Sequence, residues 1–157
     1  MAALNELWGA LGTETVVMSN SDLSGLANNA LFLSAAYNNV QAGGGGGGSV
    51  LCRVTFTLTM AVAAAANTGF PFWVLKSPDG GTTYESGSTS YTPLRMPDCV
   101  CPAPVDTTQR VVAFDILLPA GFVKFLLKDD ATGQALKTDT SSTGSKVTVT
   151  PYTRQMV

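Results

Sequence analysis

The sequence predicts an all-β protein, a single-domain antiparallel β-sandwich that is jelly-roll-like and carries a short N-terminal arm or helix. Three observations support this fold class. Residues 50–60 alternate between apolar and polar side chains, further strand-like segments are separated by turn residues, and helical periodicity is almost absent after residue 12. A chain of 157 residues is expected to form one domain and to bury roughly 70% of its unfolded surface, so its core suffices without disulfides or metal.

Residues 1–12 are assigned to the arm and residues 13–157 to the sandwich. Four apolar side chains in the arm recur at the i, i+3, i+4, i+7 spacing of an amphipathic helix, namely Leu4, Leu7, Trp8 and Leu11. A helix this short is not stable alone, so its apolar stripe must contact another surface. That surface is either the open edge of the same domain or a neighbouring subunit.

The segment before the longest strand contains two shorter strand candidates. Residues 13–18 are the first, residues 19–22 have turn composition, and the apolar residues 30–33 favour a strand in the second half of the segment 23–36. Residues 43–48 are six consecutive glycines. This run lacks the Lys and Ser/Thr spacing of a phosphate-binding loop, and ordering glycine is entropically costly, so a flexible surface loop is expected.

The strand predicted at residues 50–60 is the longest in the chain. Six side chains share one of its faces: Val50, Cys52, Val54, Phe56, Leu58 and Met60. The opposite face is mostly threonine. Since strand side chains alternate with period two, the first face is expected to pack on a core, with Cys52 buried and reduced.

The later part of the chain reads as strands separated by turns. Strands are expected at residues 70–75, 110–118, 122–128 and 146–150, with a turn at 77–82 and a loop-rich segment at 86–108. Proline at position 71 falls near the start of its strand, where a missing backbone donor does least harm.

The charge composition argues against several classes of partner. Only 13% of residues are charged, and nine Lys and Arg stand against eleven Asp and Glu without a basic cluster, so a nucleic-acid partner is not expected. A weakly charged surface favours a protein that lives in an assembly. No apolar run approaches the roughly 20 residues needed to span a bilayer, so no membrane partner is expected. The sequence also lacks a signal-peptide pattern, so the chain is expected to fold in the cytosol.

The sequence contains no histidine, which bears directly on catalysis. Ser-His-Asp and Cys-His nucleophiles and histidine-ligated zinc centres are thereby excluded. We therefore predict that the protein is not an enzyme and has no catalytic residues. A carboxylate pair is the alternative, although nothing in the spacing of Asp98, Asp106 and Asp115 indicates that they converge, and Asp129 and Asp130 are adjacent in sequence.

The three cysteines offer the one cluster suited to a metal. Cys99 and Cys101 are separated by one residue, whereas structural zinc sites usually have two between their cysteines and need four ligands. Two reduced thiols are the favoured interpretation, with zinc or an oxidised bridge to Cys52 as alternatives. No metal and no cofactor are predicted.

Two further features have the composition of binding sites. The segment Asp79–Glu85 offers oxygen ligands suited to calcium or a sugar, but it lacks the EF-hand pattern, and a hairpin or connecting loop is favoured. Trp73 lies on the opposite face of its strand from Phe70 and Phe72. Together with Tyr91 it is the candidate for a carbohydrate platform on an exposed face or loop tip.

Four short segments carry a resemblance to a known family. They are Leu127–Ala135, Val147–Tyr152, the Asn28-Asn29-Ala30 segment that leads towards the long Thr-rich strand, and the turn from Ser77 to Tyr84 after an apolar strand. These segments resemble parts of small structural proteins of tailed bacteriophages, the capsid decoration (cement) proteins of jelly-roll type. The resemblance spans roughly residues 13–152, and the glycine run and the Cys99/Cys101 loop are not part of it.

The resemblance implies a non-enzymatic virion protein that binds the outside of the major capsid shell in many copies. Its implied partners are the major capsid protein and itself, as a dimer or trimer, and it would be synthesised in the bacterial host cytoplasm. The candidate partner contacts are Leu4, Leu7, Trp8, Leu11, Trp73 and Tyr91. The alternative is a carbohydrate-binding or adaptor module of a phage tail or fibre.

Overall fold

The structure is a computed structural model that describes residues 6–8, 12–39, 51–141, 143–152 and 154–156. For residues 6–8 and 154–156 the backbone alone is described. Leu4, Leu11, the glycine run at 43–48 and Val50 lie outside the described residues, so the predictions made for them stay predictions.

Eleven strands and one short helix make up the described part of the chain. In order they are β1 (Glu6–Trp8), β2 (Thr15–Met18), α1 (Asn20–Leu23), β3 (Leu31–Leu33), β4 (Tyr37–Asn39), β5 (Leu51–Leu58), β6 (Gly69–Lys76), β7 (Cys99–Pro102), β8 (Arg110–Leu117), β9 (Gly121–Lys128), β10 (Lys146–Tyr152) and β11 (Arg154–Met156). No helix among these residues is long and apolar enough to cross a membrane.

Two antiparallel sheets pack together, which confirms the predicted all-β sandwich. One sheet has the strand order β2-β10-β5-β8, and the other has the order β3-β9-β6-β7, with β4 also paired to β9. The pairing of β5 with β8 runs without interruption from Leu51 opposite Leu117 to Leu58 opposite Arg110. A separate two-stranded sheet joins β1 to β11.

The core lies between the two sheets, on the face that the sequence pattern predicts. Side chains at alternate positions of β5 and just beyond it are at most 1% exposed: Cys52, Val54, Phe56, Leu58 and Met60. The Phe56 ring meets the Phe72 ring of β6 edge to face, with 5.2 Å between centroids, and Phe72 stacks on Phe125 of β9 at 5.5 Å. The first of these pairs joins the two sheets across the core, and the second packs within one sheet.

One local prediction is wrong, and another is incomplete. Glu6–Trp8 is a strand and not a helix, because its backbone pairs with β11, with Glu6 opposite Met156 and Trp8 opposite Arg154. A distant partner of this kind overrides a local helical pattern. The segment predicted as loop-rich contains β7, whose Cys101 is buried opposite Phe70 of β6. A four-residue strand between prolines is too short to show a clear period.

Candidate interaction surface

The edge of β6 is covered by side chains where β7 does not reach it. The pairing of β6 with β7 runs only from Gly69 to Phe72. Beyond it, the backbone N–H of Val74 donates to Oδ2 of Asp98 at 2.7 Å, and the Val74 carbonyl oxygen accepts from Nη2 of Arg95 at 2.7 Å. Two side chains thus satisfy the backbone groups that a strand would otherwise pair.

Arg95 holds the returning loop against this edge. Its guanidinium lies 3.0 Å from the Asp98 carboxylate and 3.6 Å from that of Glu85. Its carbonyl oxygen accepts from Nε1 of Trp73 at 3.2 Å. Glu85 continues the pattern, since its backbone N–H donates to the Lys76 carbonyl oxygen at 2.8 Å. The loop is therefore fixed by a local network in which one guanidinium is ion-paired with two carboxylates.

The side chains on either side of Arg95 point away from the protein. Leu94 is 107% exposed and Met96 is 83% exposed, both relative to the reference state of an extended chain. Tyr91, earlier in the same loop, is 55% exposed. These large apolar side chains on a fixed loop form a candidate contact surface. In the sequence, this surface corresponds to the apolar residues Leu94 and Met96 on either side of Arg95, between two prolines. The prediction of a loop-rich segment did not use this pattern.

Trp73 is not on an exposed face, so the predicted carbohydrate platform does not form around it. Its side chain is 5% exposed and packs in a second, smaller cluster with Leu75 and Leu126. A groove of about 760 Å³ lies beside it, lined in part by Pro71 and Val100. The groove offers no open indole face on which a sugar ring could stack.

A buried carboxylate lies at the end of β9. Asp129 is fully buried, its backbone N–H donates to the Ala30 carbonyl oxygen at 3.0 Å, and its Oδ2 has no hydrogen-bond partner among the described residues. The Thr132 hydroxyl oxygen lies 2.6 Å from Oδ1 of Asp129 and 2.7 Å from the carbonyl oxygen of Gln134. A hydroxyl has one proton, so it cannot donate to both acceptors.

Protonation of Asp129 resolves this conflict. A neutral carboxyl group donates to the Thr132 hydroxyl, which then donates to the Gln134 carbonyl oxygen. Burial raises the pKa of Asp129 from 3.8 to about 6, partly offset by its hydrogen bonds with Thr132. The folded protein therefore binds the Asp129 proton more tightly than an exposed carboxyl group would, and the group is neutral mainly below about pH 6. Sequence analysis missed this role because adjacent aspartates read as a solvated pair.

Two of the segments that carry the family resemblance are in direct contact. The side-chain oxygen of Asn29 accepts from the backbone N–H of Ala131 at 3.2 Å, and that of Asn28 accepts from Gly133 at 3.0 Å. Both Asn29 and Ala131 have positive φ angles, which these hydrogen bonds help to hold. The two asparagines therefore fasten the loop that follows β9.

The other predicted contact residues are described only in part. Leu7 and Trp8 lie in β1, where their backbones pair with Gln155 and Arg154. The structure does not describe the side chains of Leu7 and Trp8, and Leu4 and Leu11 lie outside the described residues. Tyr91 is therefore the one predicted contact residue whose exposed side chain is described.

The candidate carboxylates do not converge. Asp98 accepts from Val74 and Arg95, Asp106 accepts from the N–H of Thr108, and Asp115 pairs with Arg53 at 3.1 Å. Among the described residues, no group of three or more Cys, Asp or Glu side chains is placed to hold a metal ion.

The Asp79 turn is closed by its own hydrogen bonds. Its carboxylate accepts from the Thr83 N–H at 2.7 Å and hydroxyl at 2.8 Å, and these bonds lower the pKa of Asp79. Glu85 is engaged elsewhere, at the backbone of Lys76. This arrangement fits the connecting loop favoured by the sequence.

The cysteines are free thiols in the structure. Cys52 and Cys101 are buried and Cys99 is half-buried. Burial raises the pKa of each thiol to about 12. Thiols of this kind are poor metal ligands and poor nucleophiles.

Comparison of the chain with protein-family models, with curated proteins and with solved structures finds no match.

Proposed function

We propose that the protein is a non-enzymatic virion structural protein, a capsid decoration or cement protein. In this role it binds the outer surface of the major capsid shell in many copies and stabilises it, after folding in the bacterial host cytoplasm. Its partners are the major capsid protein and further copies of itself. The observation that carries the proposal is the fixed loop that presents Leu94 and Met96 to solvent.

The loop has the properties of a pre-organised contact. Because Arg95 already holds the backbone, docking of Leu94 and Met96 into a partner requires little further ordering of the chain. The ionic groups beside them are paired within the protein, so they need not be desolvated without a partner. Apolar side chains of this kind gain their binding free energy by burial.

Modest contacts suffice for a protein bound in many copies. A shell that offers repeated, closely spaced sites makes the second and later contacts effectively intramolecular. A small net charge of −2 also limits repulsion between neighbouring copies on a shell. A rigid sandwich with a few apolar contacts per copy therefore supports a stabilising role.

The test is whether the protein accompanies virions and whether Leu94 and Met96 hold it there. The wild-type protein is expected to co-sediment with particles at a copy number near that of the shell protein. The double variant Leu94→Ser/Met96→Ser should lose most of this occupancy. Val62→Ser is the matched control, since Val62 is 54% exposed and lies elsewhere. Absence of the wild-type protein from purified virions contradicts the proposal.

The N-terminal arm is a second candidate contact. Deleting residues 1–11 keeps Gly12, whose N–H donates to the Pro151 carbonyl oxygen at 2.7 Å, and removes β1. We expect weaker particle binding with an unchanged melting temperature of the sandwich. Full occupancy after this truncation would assign β1 a role within the domain alone.

The alternative function, a carbohydrate-binding or adaptor module of a tail or fibre, has less support. Its stacking platform needs Trp73 exposed, and Trp73 is buried. A glycan array distinguishes the two functions, because a decoration protein is expected to bind none of the glycans.

A further inference from the structure

Strand β8 is an unusually open edge. Among the described strands it pairs with β5 alone, and it is eight residues long. The other edge strands of the two sheets, β2, β3, β4 and β7, have three or four residues each. Their edges are also interrupted, by a register shift between β2 and β10 and by Pro102 in β7. A long regular edge is a template for pairing with another strand.

The side chains of β8 leave this edge apolar on both faces. On the outer face Val111 is 62% exposed and Leu117 is 70% exposed. On the core face Val112 and Phe114 are only half-buried, at the open side of the sandwich. The strand has two charged residues: Arg110 lies at its start, and Asp115 is paired with Arg53 of the neighbouring strand at 3.1 Å. Edge strands are normally protected by charges, proline or bulges, and β8 has little of this protection.

The sequence of β8 is complementary to itself. When two copies of one strand pair antiparallel about a two-fold axis, opposed residues must point to the same face of the sheet. One residue of the strand therefore lies on the axis and faces the same residue of the other copy. With Phe114 at the axis, the opposed pairs are Val111 with Leu117, Val112 with Ile116, and Ala113 with Asp115. Val111 of each copy then lies opposite Leu117 of the other copy, so this pair of exposed outer-face side chains forms twice in the dimer.

Neighbouring registers are less favourable. An axis at Asp115 opposes two carboxylates, and like charges directly opposite each other destabilise a pair of strands. An axis at Ala113 places Val111 opposite Asp115. With the axis at Phe114, the large apolar residues from Val111 to Leu117 all lie opposite apolar partners. Asp115 lies opposite Ala113, and its charge is already neutralised by Arg53.

We infer that β8 is a dimerisation edge, through which a second copy of this chain adds its own β8 in antiparallel register about Phe114. The four-stranded sheet thereby becomes a continuous eight-stranded sheet, and the β8 contact from Val111 to Leu117 is about 24 Å long. The net charge of −2 leaves little repulsion between the two copies.

This inference rests on the self-association in the proposed function and on no other part of it. It is tested on the isolated protein without particles, so its failure and the failure of the capsid role are separate outcomes. Analytical ultracentrifugation is expected to give a concentration-dependent dimer of the wild-type chain. A monomer at concentrations up to about 100 µM, or a trimer, overturns the inference.

A pair of double variants tests the register. Val111→Lys/Leu117→Lys places like charges opposite each other twice, and we expect dimerisation at least about tenfold weaker. Val111→Lys/Leu117→Glu places opposite charges there, and it is expected to remain dimeric with an affinity that falls as salt is added. Equal behaviour of the two variants overturns the assigned register.

Two controls make the result independent of folding defects. Val62→Lys changes an exposed apolar residue outside β8 and should leave the dimer intact. Hydrogen exchange of the wild-type chain needs no variant, since backbone amides of Arg110–Leu117 should become more protected as protein concentration rises. Protection that does not depend on concentration overturns the inference.

Discussion

Arg95 donates a hydrogen bond of 2.7 Å to the carbonyl oxygen of Val74, at the point where β6 has passed the end of its pairing with β7. Asp98, which is ion-paired to Arg95, accepts from the N–H of the same residue. The pair thus takes the place of a strand at this edge. It also fixes the loop that exposes Leu94 and Met96, so stability and the proposed contact depend on one guanidinium.

Replacing this guanidinium should destabilise the protein. We expect Arg95→Ala to lower the free energy of unfolding by about 1–3 kcal/mol, because it leaves the Val74 carbonyl oxygen without its donor and removes the ion pair to Asp98, which keeps its hydrogen bond from the Val74 N–H. Urea unfolding measures the change. Arg110→Ala is the control, since Arg110 makes one 3.4 Å contact with a backbone carbonyl oxygen, and its effect should stay within about 0.5 kcal/mol.

The aromatic contacts across the core supply a second prediction. Phe72 meets Phe56 of the other sheet and Phe125 of its own, and it is fully buried. Phe72→Ala should destabilise the protein by about 3–5 kcal/mol, since it removes both ring contacts and leaves a cavity. Thermal and urea unfolding measure this loss. A loss below about 1 kcal/mol would place the ring outside the cooperative core.

The strands that the sequence predicts well are those whose pattern is local. The alternation in β5 alone identifies its buried face, because one sheet face is in the core and the period is two. The short strand Leu31–Leu33 and the long strands β8 and β9 were likewise predicted from apolar composition and flanking turns.

The features that the sequence does not reveal depend on distant partners. The alternation of side chains places Trp73 on the outward face of β6, yet a loop more than 20 residues later covers it. Nε1 of Trp73 donates a hydrogen bond of 3.2 Å to the Arg95 carbonyl oxygen in that loop. Glu6–Trp8 is a strand because residues near the other end of the chain pair with it. Asp129 is buried beneath a loop that Asn28 and Asn29 fasten. Contacts between residues this far apart in sequence leave no local pattern of apolar and polar residues from which they could be predicted.

The thiols provide a test of which face of β5 is buried. Cys52 is fully buried and its pKa is raised from 9.0 to about 12, so its thiolate fraction at pH 8 is reduced roughly a thousandfold. We expect iodoacetamide to modify Cys99, which is half-buried, before Cys52 or Cys101. Mass spectrometry of peptides gives the order. Rapid labelling of native Cys52 would mean that this face is not buried.

Asp129 makes the stability of the fold depend on pH. Its pKa is about 6 in the folded state, against 3.8 for an exposed aspartate, so the folded protein binds the proton more tightly. The contribution of this group to stability is therefore fully present below about pH 4 and is lost as pH rises to about 6. At 1.36 kcal/mol per unit, the loss is roughly 3 kcal/mol.

Asp129→Asn should remove this loss, because an amide resembles the neutral acid and can donate to the Thr132 hydroxyl without a charge to bury. Urea unfolding at pH 7.5 is expected to show the variant more stable than the wild type by up to about 3 kcal/mol, and at pH 3.5 the two should be nearly equal. Asp130→Asn is the matched control, since Asp130 is exposed and ion-paired to Lys128. A variant that is less stable than the wild type at pH 7.5 would show that the buried carboxylate is ionised and held by its surroundings.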